Sequence, residues 1–132
     1  MIGYWGYLEF EVNDDWWQYP TNIIRTAAGR WSTHNVIGQR PVSEFQGAEE
    51  GTFTFTMHFD QRFTDDVRHR LDELVTWVNE GYAAELVIGT KPMGFDKWKI
   101  VDVKETITDL LPGGLIFAAD AEVKLVEQRT NV

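Results

Sequence analysis

The clearest pattern in the chain lies over residues 52–59. Phe53, Phe55, Met57 and Phe59 alternate with Thr52, Thr54, Thr56 and His58, the period of a strand with one apolar and one polar face. Four large apolar side chains, each stabilising by roughly 1.5–3 kcal/mol when fully buried, outweigh any local helical tendency. Leu8, Phe10 and Val12 alternate with Tyr7, Glu9 and Glu11 and predict an earlier strand, ended by a turn at Asn13, Asp14 and Asp15. Leu115, Phe117, Ala119, Ala121, Val123 and Leu125 form the longest alternation and predict the last strand. Before it, Trp98 and Ile100 share one phase, whereas Val101, Val103 and Ile107 share the other. That slip predicts a β-bulge at Ile100 and Val101.

Weaker signals fill the gaps. Residues 16–20 read as an aromatic loop or a short edge. Residues 23–31 read as a strand interrupted near Gly29. Residues 36–45 contain Gly38 and Pro41, which allow only an edge strand or two short strands around a bulge. Residues 84–88 predict a short apolar strand. Residues 46–51 are expected to turn a hairpin into the strand over 52–59. Residues 109–114 are expected to join the last two strands as a long hairpin.

One helix is predicted. Val67, Leu71, Leu74, Val75 and Val78 fall on one stripe at spacings of three and four. Thr64 reads as its N-cap, with Asp65 and Asp66 suited to the positive end of the helix dipole. Gly81 stands just past its C-terminus. Arg68, Asp72, Glu73 and Glu80 would face water. Six or seven strands and one helix make an α+β domain, in which a curled, mostly antiparallel sheet forms a barrel or sandwich and the helix packs on it. Residues 1–132 are read as one domain, expected to bury roughly 68% of the surface of the unfolded chain.

Composition removes several function classes. There is no cysteine, which excludes disulfides, thiolate metal sites and cysteine nucleophiles. The net charge is −9 and is spread along the chain, which argues against nucleic-acid binding by charge neutralisation. No apolar run approaches the roughly 18 residues of a membrane span, and the N-terminus lacks the basic region of a signal peptide.

Candidate chemistry is sparse. No phosphate loop or Gly-x-Ser-x-Gly elbow occurs. His34, His58 and His69 show no metal-ligand spacing. Asp14 and Asp15, Glu49 and Glu50, and Asp65 and Asp66 are adjacent pairs, and neighbours on a strand point to opposite faces. No catalytic, cofactor or metal site is expected. The aromatics are abundant for so acidic a chain, at 14% with six tryptophans. Phe53, Phe55, Phe59 and Phe117 are expected in the core. Trp16, Trp17 and Tyr19 have no evident place inside, and Arg30 and Trp31 sit in the run 25–31. Trp and Tyr are enriched at protein interfaces, so Trp16, Trp17, Tyr19, Arg30, Trp31 and Arg40 are the expected subunit contacts.

The stretch from Gly29 through Arg30-Trp31, Ile37-Gly38-Gln39-Arg40 and Phe45-Gln46-Gly47 resembles the GpU-like tail proteins of contractile-tailed phages. Those chains carry an Arg-Trp, an Ile-Gly-x-Arg and a Phe-x-Gly ahead of a strongly alternating strand. A Leu-rich helix ending in Gly then follows, matched here at residues 71–81. Next come a strand ending in Gly, residues 86–89, and an aromatic-Lys-Ile stretch ending in Glu-Thr, residues 98–106. The resemblance covers residues 25–127, with a shorter connection over residues 60–63 than the family usually has. It implies a tail-tube-like fold and a structural, non-enzymatic role in a phage tail or a phage-derived contractile particle. It further implies a homo-hexameric ring at the baseplate end, where the tube meets its hub and assembly begins. The partners would be tail-tube, hub and peptidoglycan-binding-fold baseplate proteins. The expected location is the virion, after assembly in the host cytoplasm.

DNA could pass through the lumen of such a ring without specific binding. Six copies would multiply the acidic charge, and an acidic wall would repel phosphate. Other readings are a terminator or adaptor ring at the head-proximal end, and a small carbohydrate- or ligand-binding β-domain.

Overall fold

The computed structural model describes residues 2–12, 17–34, 37–38, 40–62, 66–94 and 96–128, with Val12, Trp17 and Gln18 described by backbone alone. Among these described residues twelve strands and one helix occur, in the order β1 (Gly3–Trp5), β2 (Leu8–Val12), β3 (Trp17–Gln18), β4 (Pro20–Thr26), β5 (Gly29–His34), β6 (Val42–Ala48), β7 (Thr52–Asp60), α1 (Val67–Glu80), β8 (Ala83–Ala84), β9 (Leu86–Ile88), β10 (Lys91–Pro92), β11 (Lys97–Leu111) and β12 (Leu115–Gln128). The main sheet has the order β4-β7-β12-β11-β8, a smaller one β10-β9-β1-β2-β3, and β5 pairs with β6 alone. Every pairing is antiparallel. The sheet curls into a half-barrel and the fold is α+β, as expected from the alternating strands and the single helical stripe.

The core forms where the strongest alternations meet. Phe53, Phe55, Met57 and Phe59 of β7 are all buried. Opposite them in register stand Leu125, Val123, Ala121 and Ala119 of β12. Large residues on one strand face progressively smaller ones on the next, and the small end leaves room for α1, which packs on β11 and β12. From the helix come Val67, Leu71, Leu74 and Trp77. The small sheet closes the core with Trp5, Leu8 and Phe10. Trp5 stands edge-on to Trp77, with ring centroids 5.5 Å apart, and its indole Nε1–H donates to the Trp98 carbonyl at 2.9 Å. That buried bond ties the two sheets together.

Several elements differ from expectation. Asp66, rather than Thr64, is the N-cap, and its carboxylate accepts from the His69 backbone N–H. Thr64 and Asp65 lie outside the described residues. Gly81 ends the helix at φ 68, the left-handed geometry that a glycine tolerates. Val75 is 39% exposed, and Trp77, one turn beyond Leu74, takes the core position instead. The predicted strand 84–88 is split: Ala84 pairs with Trp98 in the main sheet, and Leu86 pairs with Trp5 in the small one. The bulge at Val101 is present, because Ile100 and Asp102 face consecutive residues of β12.

A second irregularity was not foreseen. Between Ile107 and Leu110 the β11–β12 register shifts twice. The phase of β12 therefore inverts, so that Ile116 and Ala118 point inward ahead of Ala119. Phe117 is half-buried rather than in the core, with the Arg62 guanidinium 5.7 Å above its ring. The connection expected over residues 109–114 is shorter, because Asp109 to Leu111 continue β11.

Candidate functional site

The largest departure from expectation creates the most prominent surface. Residues 46–51 do not turn a hairpin. β6 pairs with β5, and β7 pairs with β4. Across the break the Glu49 N–H donates to the Ala28 carbonyl at 2.8 Å. β4–β5 and β6–β7 are thus two sides of one long ribbon, and the chain reverses between His34 and Val42. Pro41 lies at that reversal, outside the ladder it could not join. Within the ribbon Arg30 faces Gly47 and Trp31 faces Phe45, which leaves Gln46 as a bulged residue beside Gly47 at φ 112.

The outer half of this ribbon is an arm with little beneath it. Trp31 is 63% exposed and Phe45 54% exposed. Their rings meet edge to face at 5.0 Å. Gly29 lies under the pair, where an added Cβ would come within 3.2 Å of both rings. Ile23 and Ile24 of β4 are exposed as well, whereas Val42, opposite His34, is exposed on the other face of the arm. Arg25, Arg30 and Arg40 are exposed on the same ribbon and make no ion pair among the described residues.

The structure separates the expected contact residues. Arg30, Trp31 and Arg40 share the arm. Tyr19, 37% exposed, sits at the other end of β4, about twelve strand positions from Trp31, or roughly 40 Å along the chain path. Trp16 and the Trp17 side chain lie outside the described residues; the Trp17 backbone pairs with Val12 as a short edge. Phe45, Ile23 and Ile24 were missed. Phe45 stands in the very stretch that Pro41 made hard to read, and its partner Trp31 lies fourteen positions earlier in sequence.

A second uncovered surface lies at the distal end of the β11–β12 hairpin. Ile107, Leu110, Leu111 and Leu115 are between 39% and 59% exposed. Ile107 and Leu110, together with Arg68, Leu71, Asp72, Glu105 and Ile116, border an open groove of about 470 Å³ between the hairpin and α1, and Arg68 pairs with Asp72 at 3.8 Å. Partial burial pushes the Glu105 carboxyl up from its ordinary value, and the nearby Asp72 charge adds to this. β8 covers β11 only at Trp98 and Lys99, so the rest of this strand has an open edge among the described residues.

The remaining ionisable groups make local pairs. Arg62 donates from Nε and Nη2 to Asp60 at 3.1 and 2.8 Å. These bonds hold the Asp60 carboxyl below its ordinary value, against the opposing effect of its burial. His34, His58 and His69 each approach one carboxylate, of Glu44, Asp120 and Glu73 respectively. Among the described residues no group of three or more His, Cys, Asp or Glu side chains could hold a metal ion. The open face of the main sheet carries Asp102, Asp120 and Glu122 against Lys99, Lys104 and Lys124. Its fixed charges balance, so any repulsive lining would have to come from another face. No described helix is long and apolar enough to cross a membrane.

These features suit a part that meets other proteins: exposed aromatics on an arm, an uncovered hairpin end and open strand edges. No curated protein matches the chain as a relative. The family model described as Phage P2 GpU matches residues 6–129, nearly the whole length and both of the exposed hairpins, and the chain therefore belongs to the Phage P2 GpU family, as a phage tail-related structural protein and virion component.

Proposed function

We propose that this protein forms a homo-hexameric ring at the baseplate end of a contractile tail, joining the hub to the tail tube and starting tube assembly, with residues 1–132 acting as one tail-tube-like domain. Membership of the GpU family carries the reading. The structure supports it physically. An exposed two-stranded arm is marginal by itself, and Trp31 and Phe45 on its surface gain most when a neighbouring protein covers them. Open strand edges are templates for pairing with another chain, and β4 and the distal part of β11 have such edges among the described residues. The role is structural rather than catalytic, and its partners are the other copies and the adjoining tube, hub and baseplate proteins.

Imaging of the assembled particle tests this. The expected result is sixfold density for the chain between hub and tube. Density only at the head-proximal end would replace the proposal with a terminator ring. Absence from the tail, or a place only on the outside of the tube, would overturn it.

A further inference from the structure

The two uncovered surfaces are related by the topology. β7 and β12 run antiparallel, with Thr52 opposite Val126 and Asp60 opposite Ala118. The arm leaves β7 at the Thr52 end. The β11–β12 tip, Pro112 to Gly114, lies beyond the Ala118 end. Arm and distal hairpin therefore project from opposite ends of one sheet, and neither can cover the other within a single chain.

We infer that the arm of one copy, led by Trp31 and Phe45, docks on the groove between α1 and the distal β11–β12 hairpin of a second copy. The inference rests on the ring reading and adds the contact that would hold copies together. Charge favours this occupant. Residues 20–48 carry three arginines and one glutamate in a chain of net charge −9. In the groove Arg68 meets the Asp72 carboxylate at 3.8 Å, which leaves Glu105, without an ion pair among the described residues, as the uncompensated acid. Both sides are also apolar, with Trp31 and Phe45 on the arm and Ile107 and Leu110 in the groove. Trp31 and Phe45 still expose 63% and 54% of their surface, which such a contact would cover. Repulsion opposes arm meeting arm, because it would bring the arginines together. A contact between different patches is heterologous, the type that closes into a ring when its rotation allows.

The chain has no cysteine, so single cysteines report contacts cleanly. Ser43→Cys, on the Trp31–Phe45 face of the arm, and Leu110→Cys, on the hairpin, are both at exposed positions. The two full-length variants are purified, confirmed folded by near-UV circular dichroism, mixed at high concentration and oxidised. The expected product is the mixed disulfide, exceeding each homodimer by about tenfold or more, with the excess falling when Trp31 and Phe45 are both changed to Ser. A statistical mixture of the three dimers, or homodimers in excess, would overturn the docking mode. So would an absence of cross-linking in both the mixed and separate samples. The ring reading fails separately: copies that meet in the imaged tail through other faces would remove this contact and leave the ring, whereas absence of the chain from the tail would remove the ring even if the cross-link forms.

Discussion

Replacing Trp5 by Phe tests what joins the two sheets. Trp5 is fully buried in β1, and its indole Nε1–H donates to the Trp98 carbonyl of β11 at 2.9 Å. Phe keeps an aromatic ring near Trp77 and Tyr82, whose centroids lie 5.5 and 5.1 Å away, but removes the donor and part of the volume. The lost bond costs about 1–2 kcal/mol, because a buried acceptor loses a partner. The space left by the smaller ring adds about 1–2 kcal/mol, since a packed interior relaxes only in part. For 132 residues the unfolding entropy is about 0.28 kcal/mol/K. A total loss of about 2–4 kcal/mol then lowers Tm by about 7–14 °C. Trp77→Phe is the matched comparison: Trp77 is 7% exposed and makes no side-chain hydrogen bond among the described residues. It should lose the volume contribution alone. Urea melts of the two variants, followed by far-UV circular dichroism, measure the difference. If Trp5→Phe costs no more than Trp77→Phe, the bond between the sheets contributes nothing and the reasoning fails.

Other substitutions probe other parts. Gly3→Ala would place a Cβ 2.1 Å from the Val87 carbonyl oxygen; separating two paired strands should cost about 1–3 kcal/mol or more, read as a lower urea midpoint. Asp66→Ala removes the acceptor for the His69 N–H and should cost about 1 kcal/mol, whereas a Thr64→Ala change that cost as much would reopen the cap assignment. Trp31→Ser together with Phe45→Ser should leave the urea midpoint nearly unchanged, since both rings are more than half exposed, while reducing incorporation into particles. Asp60 has a folded pKa below its ordinary 3.8, so its contribution is present above that value and is lost as pH falls through the lowered one. The stability difference between wild type and Asp60→Asn should accordingly shrink on acidification below pH 3.8, and a difference independent of pH would argue against the Arg62 pairing.

Which features could be read in advance follows from the range of the forces involved. Alternation along β7 is local: four apolar residues at period two can be buried only on one face of a strand. The bulge at Val101 was legible for the same reason, as a one-residue slip in phase. The helix stripe was legible too, but Val75 and Trp77 exchanged roles because both lie near its edge and only the neighbouring strands select between them. The double shift near Thr108 and Phe117 left no trace in β12, where Leu115 and Phe117 continue the alternation of the residues after them.

The arm shows the limit most clearly. Residues 46–51 contain two glycines and two glutamates, a composition that suits a turn, yet they form a break in a continuous ribbon. Whether such a segment reverses the chain depends on the partner available to each flanking strand. Here β4 and β5 follow β7 and β6 past the break, and the Ala28–Glu49 hydrogen bond carries the ladder across it. The amino-acid pattern by itself determined the class of fold, the single helix with its Gly81 end, the buried face of β7 and the family to which the chain belongs. Tertiary structure alone decided which strands pair, that Tyr19 stands apart from Arg30, Trp31 and Arg40, and that two apolar surfaces project from opposite ends of one sheet. The physical reason is that periodicity records how each segment meets its own immediate surroundings, whereas pairing and exposure depend on residues far away in sequence.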